Sequence, residues 1–86
     1  MSIKVSHNTI THFVIKVHPI REKKNGDKCF FITSQNQYTG REFRTEVQRG
    51  DSFKIGSEMA WWLRSNDEVE AVHAELTKDL KSNKRG

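Results

Sequence analysis

The sequence predicts one small α+β domain, a three- to five-stranded antiparallel β-meander with one face covered by C-terminal helix. Three observations predict it. β-branched and aromatic residues alternate with polar ones through the first 50 positions, which is the period of a half-buried strand. Turn-forming pairs containing glycine punctuate those runs. After position 65 the apolar residues recur at three- and four-residue spacing, the period of a helix.

The first clear strand is Thr11-His12-Phe13-Val14-Ile15-Lys16-Val17-His18, closed by Pro19, which suits a strand end or edge. Asn25-Gly26 is a strong hairpin signal and leads into Lys28-Cys29-Phe30-Phe31-Ile32-Thr33-Ser34. Thr39-Gly40 supplies a second turn and Glu42-Phe43-Arg44-Thr45-Glu46-Val47 a third strand. Ile3 with Val5, and Phe53 to Ile55 after the Arg49-Gly50-Asp51 turn, are candidates for short added strands.

Two-residue turns would fix a register. Asn25-Gly26 would place Val17 opposite Ser34 and Lys16 opposite Gln35; Thr39-Gly40 would place Ile32 opposite Val47 and Gln35 opposite Arg44. Phe13, Ile15, Val17, Phe30, Ile32, Phe43 and Val47 then share the core face. His12, Lys16, His18, Thr33, Gln35, Arg44, Glu46 and Gln48 share the other, with Val14, Ile20, Cys29 and Phe31 among them.

The last third reads as one helix or two. Ser57 is a candidate cap for Glu58 to Leu63, with Met59, Trp62 and Leu63 on one side and Trp61 pointing away. Ser65-Asn66-Asp67-Glu68 is a capping box, and Val69, Val72, Leu76 and Leu80 form an apolar stripe behind it. A one-sided sheet needs a covering layer, and this stripe supplies it. The domain is expected over residues 1–82, with a frayed basic tail at 83–86.

Composition narrows the function. Eighty-six residues, 34% hydrophobic and 30% charged, make one domain with a small core, for which a homodimer would add burial. The lone Cys29 excludes an internal disulfide, and no apolar run is long enough to span a bilayer, so a cytoplasmic, membrane-free setting is expected. Walker loops, dinucleotide-binding glycines and nucleophile elbows are absent. His12 and His18 are separated by about 20 Å of extended strand, too far to share a metal ion. No enzyme activity, metal or cofactor is expected.

The charge is +4 and uneven: residues 1–50 hold nine Lys/Arg against four acids, and residues 51–86 hold six against seven. The basic half is the sheet, which favours a polyanionic partner such as nucleic acid. The expected site is the polar sheet face with its hairpins: the row Lys16–Gln35–Arg44, flanked by His18, Thr33, Gln37 and Gln48, with Lys23, Lys24, Lys28 and Arg41 around the turns. The alternative is a protein-binding modulator of a larger machine, a phage-type accessory protein anchored by Trp61, because tryptophan is enriched at interface hot spots. Arg49-Gly50-Asp51 reads as a turn and not as an adhesion tripeptide.

Overall fold

A computed structural model of the chain describes the backbone of residues 2–84 and the side chains of residues 2–81. Seven strands form one antiparallel sheet: β1 (Ile3–His7), β2 (Ile10–Val17), β3 (Arg21–Glu22), β4 (Lys28–Gln35), β5 (Glu42–Gln48), β6 (Ser52–Ile55) and β7 (Trp61–Trp62). One helix, α1 (Asn66–Lys84), follows. Helix backbone thus occupies positions 83 and 84 of the expected tail, and positions 85–86 lie outside the described residues. The α+β class and the meander agree with the sequence, and both optional strands join the sheet.

Strand β3 continues the line of β2 after Pro19, and both pair with β4. β5 pairs with β4 on the other side, while β1 pairs with both β2 and β6, and β6 with β7. β5 and β7 are therefore at opposite ends of the strand order, yet only Arg49-Gly50-Asp51 separates β5 from β6. Such a connection is too short to cross a flat sheet of this width, so the sheet must curl until its two ends approach. Leu63, just past β7, completes the junction: Gly50 N donates to Leu63 O at 2.7 Å and Leu63 N to Asp51 O at 2.9 Å.

Asp51 holds this seam. Its carboxylate accepts from His7 Nε2 at 2.8 Å, Asn8 Nδ2 at 3.2 Å and the Gln48 amide at 3.1 Å. Asn8 in turn bonds Ser52 in both directions, so the β1–β2 turn is tied to the β5–β6 turn. The tie lets the two-residue turn adopt φ of 50° at Asn8 and 70° at Thr9, left-handed values that a β-branched threonine disfavours. Asp51 is a turn acid, as the sequence suggested, and its carboxylate is committed to holding that turn.

The core lies between the closed side of the sheet and α1. Ile3, Val5, Val14, Phe30, Ile32, Val47, Phe53, Ile55 and Leu63 meet Val69, Val72 and Leu76, with Val17, Ile20, Trp61 and Leu80 at its margin. Ile20, expected on the polar face, packs on the core side instead. The helix stripe is the expected one. Glu68 and Val69 amides donate to Ser65 O, while the Glu68 carboxylate reaches past Ser65 to the Arg64 amide. Asn66 docks the helix start on the first hairpin, accepting from Lys28 N and donating to Gly26 O.

Three expectations fail, each for a physical reason. The helix expected after Ser57 is absent; Gly56 turns the chain at φ 58°, and Trp61 and Trp62 pair with Phe53 and Ser52. Neighbouring residues of a strand face opposite ways, so Trp61 packs on the core and Trp62 is 58% exposed, the reverse of the helical assignment. Second, the β4–β5 connection is longer than Thr39-Gly40. Asn36 N donates to Arg41 O, and Asn36 Oδ1 accepts from Tyr38 N and Thr39 N, so an Asx-type turn closes the loop. The register slips by two, with Val47 opposite Phe30 and Arg44 opposite Thr33.

Third, β2 carries a bulge. Val14 pairs with Ser34 and Lys16 with Thr33, leaving Ile15 without a partner on β4. Upstream of the bulge the faces are inverted relative to the expected alternation. His12 and Val14 point into the core, while Phe13, paired with exposed Lys4, and Ile15 are half-buried outside it. Downstream, Val17 keeps its expected side, but the first hairpin also ends two residues out of the expected register, with Val17 opposite Ile32 and not Ser34, and Lys16 opposite Thr33 and not Gln35. It closes through Lys23 N donating to Asp27 O, a loop longer than Asn25-Gly26. Phe43 does share the core face, opposite Ser34, but lies beyond the helix and is 45% exposed.

Candidate nucleic-acid interface

The face of the sheet turned away from α1 is open. Strand alternation around the buried positions assigns Lys4, Lys16, Arg21, Lys23, Arg44 and Lys54 to it, against only Glu42 and Glu46. The helix carries the opposite balance, with Asp67, Glu68, Glu70, Glu75 and Asp79 against Lys78, Lys81 and Lys84. The fold therefore separates charge: a basic open sheet face and an acidic covered one.

Within that face, register places Lys16, Thr33 and Arg44 side by side on β2, β4 and β5. Gln35, expected between the two cations, is instead one row away opposite Glu42, and its amide donates to Gly40 O at 3.2 Å, bracing the loop. Thr33, which the sequence reading left at the flank, takes the central place because of the two-residue slip. His18 stands just past the end of β2 with Nε2 2.7 Å from Thr33 Oγ1. Its backbone is fixed twice, by His18 N donating to Phe31 O and by His73 Nε2 of the helix donating to His18 O.

The bulge at Ile15 leaves a shallow cleft of about 470 Å³ here, lined by Ile15, Lys16, His18, Thr33, Glu42, Phe43 and Arg44. Burial pushes the His18 imidazole below its ordinary range, and the charges of Lys16 and Arg44 push the same way. Lys16 and Arg44 are exposed and form no ion pair with another described residue.

The hairpin cations differ. Lys28 faces the helix side, bonded to Glu70, and that bond and the carboxylate charge hold its ammonium above the ordinary range. Lys23 is bonded to Gln48 and lies 3.9 Å from Glu46. Arg49 is held by both oxygens of Asp27. Lys24 and Arg41 are exposed at their turns. Of the expected set, then, the structure gathers Lys16, His18 and Arg44 in one cleft, places Gln35 and Arg41 at the adjoining loop and Lys24 at the first turn, and commits Lys23 and Lys28 to neighbours.

A second polar cluster lies at the seam. The His7 and His12 rings are 5.8 Å apart, and His12 Nδ1 is 3.5 Å from Ser34 Oγ. His12 Nε2 is buried without a hydrogen-bond partner among the described residues, under the ring of Phe43. Burial and the nearby His7 lower the His12 pKa. Ser34 is fully buried, so no substrate could reach it. Cys29 is buried as well, and burial and Glu46 push its thiol up, away from a reactive thiolate.

Among the described residues no three His, Cys, Asp or Glu side chains stand close enough to hold a metal ion, and no helix is long and apolar enough to cross a membrane. Comparison with protein-family models, curated proteins and solved structures finds no match to this chain.

Proposed function

We propose that this chain is a nucleic-acid-binding module without a reaction of its own, and that its site is the open face of the sheet. The observation that carries the reading is the Lys16–Thr33–Arg44 row, two cations that form no ion pair among the described residues, around a hydroxyl on the basic side of a charge-segregated molecule. Phosphates are held by such Lys, Arg and Thr side chains. An acidic helix on the far side orients the molecule, turning the basic face toward a polyanion and the helix away. Half-buried Phe13 and Phe31 on the same face supply ring surface beside the cations, a combination suited to unpaired bases.

Anisotropy of labelled single- and double-stranded oligonucleotides across a salt series tests this. Affinity should fall steeply with salt, and Lys16→Ala with Arg44→Ala should reduce the log–log slope by about 1.4–1.8, two phosphate contacts' worth. An unchanged slope in the double variant would place binding elsewhere.

The second reading is a protein-binding modulator of a larger machine, and one observation favours it: Trp62 is 58% exposed and Met59, in the loop before it, 85%. The anchor in that reading is Trp62, since Trp61 packs on the core. Trp62→Ala should then abolish capture of a protein partner while leaving oligonucleotide affinity unchanged.

A further inference from the structure

We propose that the cleft beside the β2 bulge is a phosphate pocket, in which Lys16, Arg44 and Thr33 hold the anion and His18 takes up a proton as it binds. The source of the phosphate, a nucleic-acid backbone, rests on the function proposed above; the pocket itself rests on its own geometry.

Adjacent strands are about 4.8 Å apart, so Lys16 and Arg44 flank Thr33 at a spacing their long side chains can close around one anion. Nothing else described bonds either cation. His18 is the third wall, and its 2.7 Å contact couples it to the same hydroxyl. A neutral imidazole can accept the Thr33 proton at Nε2. A protonated one must donate there, which turns the Thr33 hydrogen outward to a phosphate oxygen. Proton uptake thus adds a charge and frees a donor in one step, and charge-assisted bonds of this kind are the stronger ones.

The surrounding charges set the direction. Lys16 on β2 and Arg44 on β5 face His18; Glu42 lines the cleft, and Glu46 stands one row away opposite Phe31. On β4 the neighbours, Thr33 and Phe31, do not titrate here. From the helix, His73 Nε2 donates to the His18 carbonyl. In the empty cleft burial and the two cations push His18 toward its neutral form. A bound phosphate opposes the two cations, so His18 titrates higher in the complex. Binding is then tightest at acid pH and weakens as pH rises through the bound-state value.

The test is an NMR titration of the His18 ring from pH 5 to 8, alone, with inorganic phosphate, and with an oligothymidylate. An upward shift of about one pH unit with either ligand is expected, matching about a tenfold loss of affinity from acid to neutral pH. His18→Gln, which can still bond Thr33 but cannot charge, should bind with that pH dependence gone. A His18 titration that neither ligand moves overturns the pocket, as does a pH dependence of oligothymidylate binding, whose phosphodiesters do not titrate in this range, that survives His18→Gln. The two proposals separate cleanly. If phosphate raises His18 but oligonucleotides do not bind, the pocket stands and the nucleic-acid reading falls. If oligonucleotides bind with His18 unmoved, the pocket falls and that reading stands.

Discussion

His12 and His18 are six residues apart along one extended run, and simple alternation puts both on the same side of the sheet. The structure puts them on opposite sides. His12 lies in the core with an unpartnered ring nitrogen, against His7, Ser34 and Phe43. His18 lines an open cleft between two cations, bonded to Thr33. Both imidazoles are pushed toward the neutral form, first by burial, and then by different neighbours: His7 for the one, Lys16 and Arg44 for the other. One unpaired residue, Ile15, separates a sealed polar cluster from an open one. The lesson is that a single bulge decides which of two equivalent histidines can meet a ligand.

The sharpest way to break this comparison is to delete Ile15. Without the bulge, the strand must either turn His12 and Val14 outward or turn Val17 inside out and bury Lys16. Val14 is fully buried, and either choice costs several core contacts, so the deletion should abolish cooperative thermal unfolding by circular dichroism. A deletion variant that melts like the parent would show that the faces are set by something other than the bulge.

The sealed side depends next on Asp51. Replacing it by alanine removes the acceptor for His7, Asn8 and the Gln48 amide together, and leaves the largely buried His7 ring without its partner. A loss of about 2–4 kcal/mol in urea unfolding is expected, since orphaned buried donors cost about 1–3 kcal/mol each and the exposed Asn8 bond adds little. A loss below about 1 kcal/mol would mean that the backbone bonds of Leu63 close the seam unaided.

His12 gives the third test. Its folded pKa lies below the ordinary value near 6.5, so the unfolded chain binds the proton more readily. Its contribution to stability is complete above about pH 6.5 and is lost as pH falls below that, by at most about 1.4 kcal/mol per pH unit. His12→Phe, which removes both the proton and the orphaned nitrogen, should flatten that part of the stability curve relative to the parent. Identical acid dependence in the two proteins would show that His12 is not the group that senses the acid.

How much of this was legible in the sequence follows the range of the interactions. Local signals held: the β-branched runs became β2, β4 and β5, and Ser65 starts a helix whose Val69, Val72 and Leu76 are buried. The basic face was legible too, because charge survives a slip of register by two. What failed was set by which of several competing partners a segment takes. Asn36 closes the β4–β5 loop with its own side chain, which a Thr-Gly pair three residues later concealed. Trp61 and Trp62 join the sheet by pairing with β6, a strand pairing that overrides three apolar residues at helical spacing. The bulge at Ile15 leaves no local mark, and with it went the assignment of Phe13, Ile15, His12 and Val14.

The first hairpin offers the smallest predicted effect and a control for the open face. Lys23 and Lys28 looked like phosphate ligands because they flank a turn, but a cation is available only if no carboxylate has claimed it. Lys28 is bonded to Glu70 on the helix side, and Lys23 to Gln48 beside Glu46. Desolvating such a pair to reach a phosphate exchanges one partner for another with little net gain. Lys28→Ala should therefore change oligonucleotide affinity by less than about twofold and leave the salt slope intact, in contrast to the Lys16 and Arg44 pair. Glu70→Ala sharpens the point, because it frees Lys28 without adding any charge to it. If affinity rises in that variant, the hairpin is a latent phosphate contact that the helix holds in check. If it does not, the site ends at the cleft, and the side of the sheet facing α1 takes no part in binding.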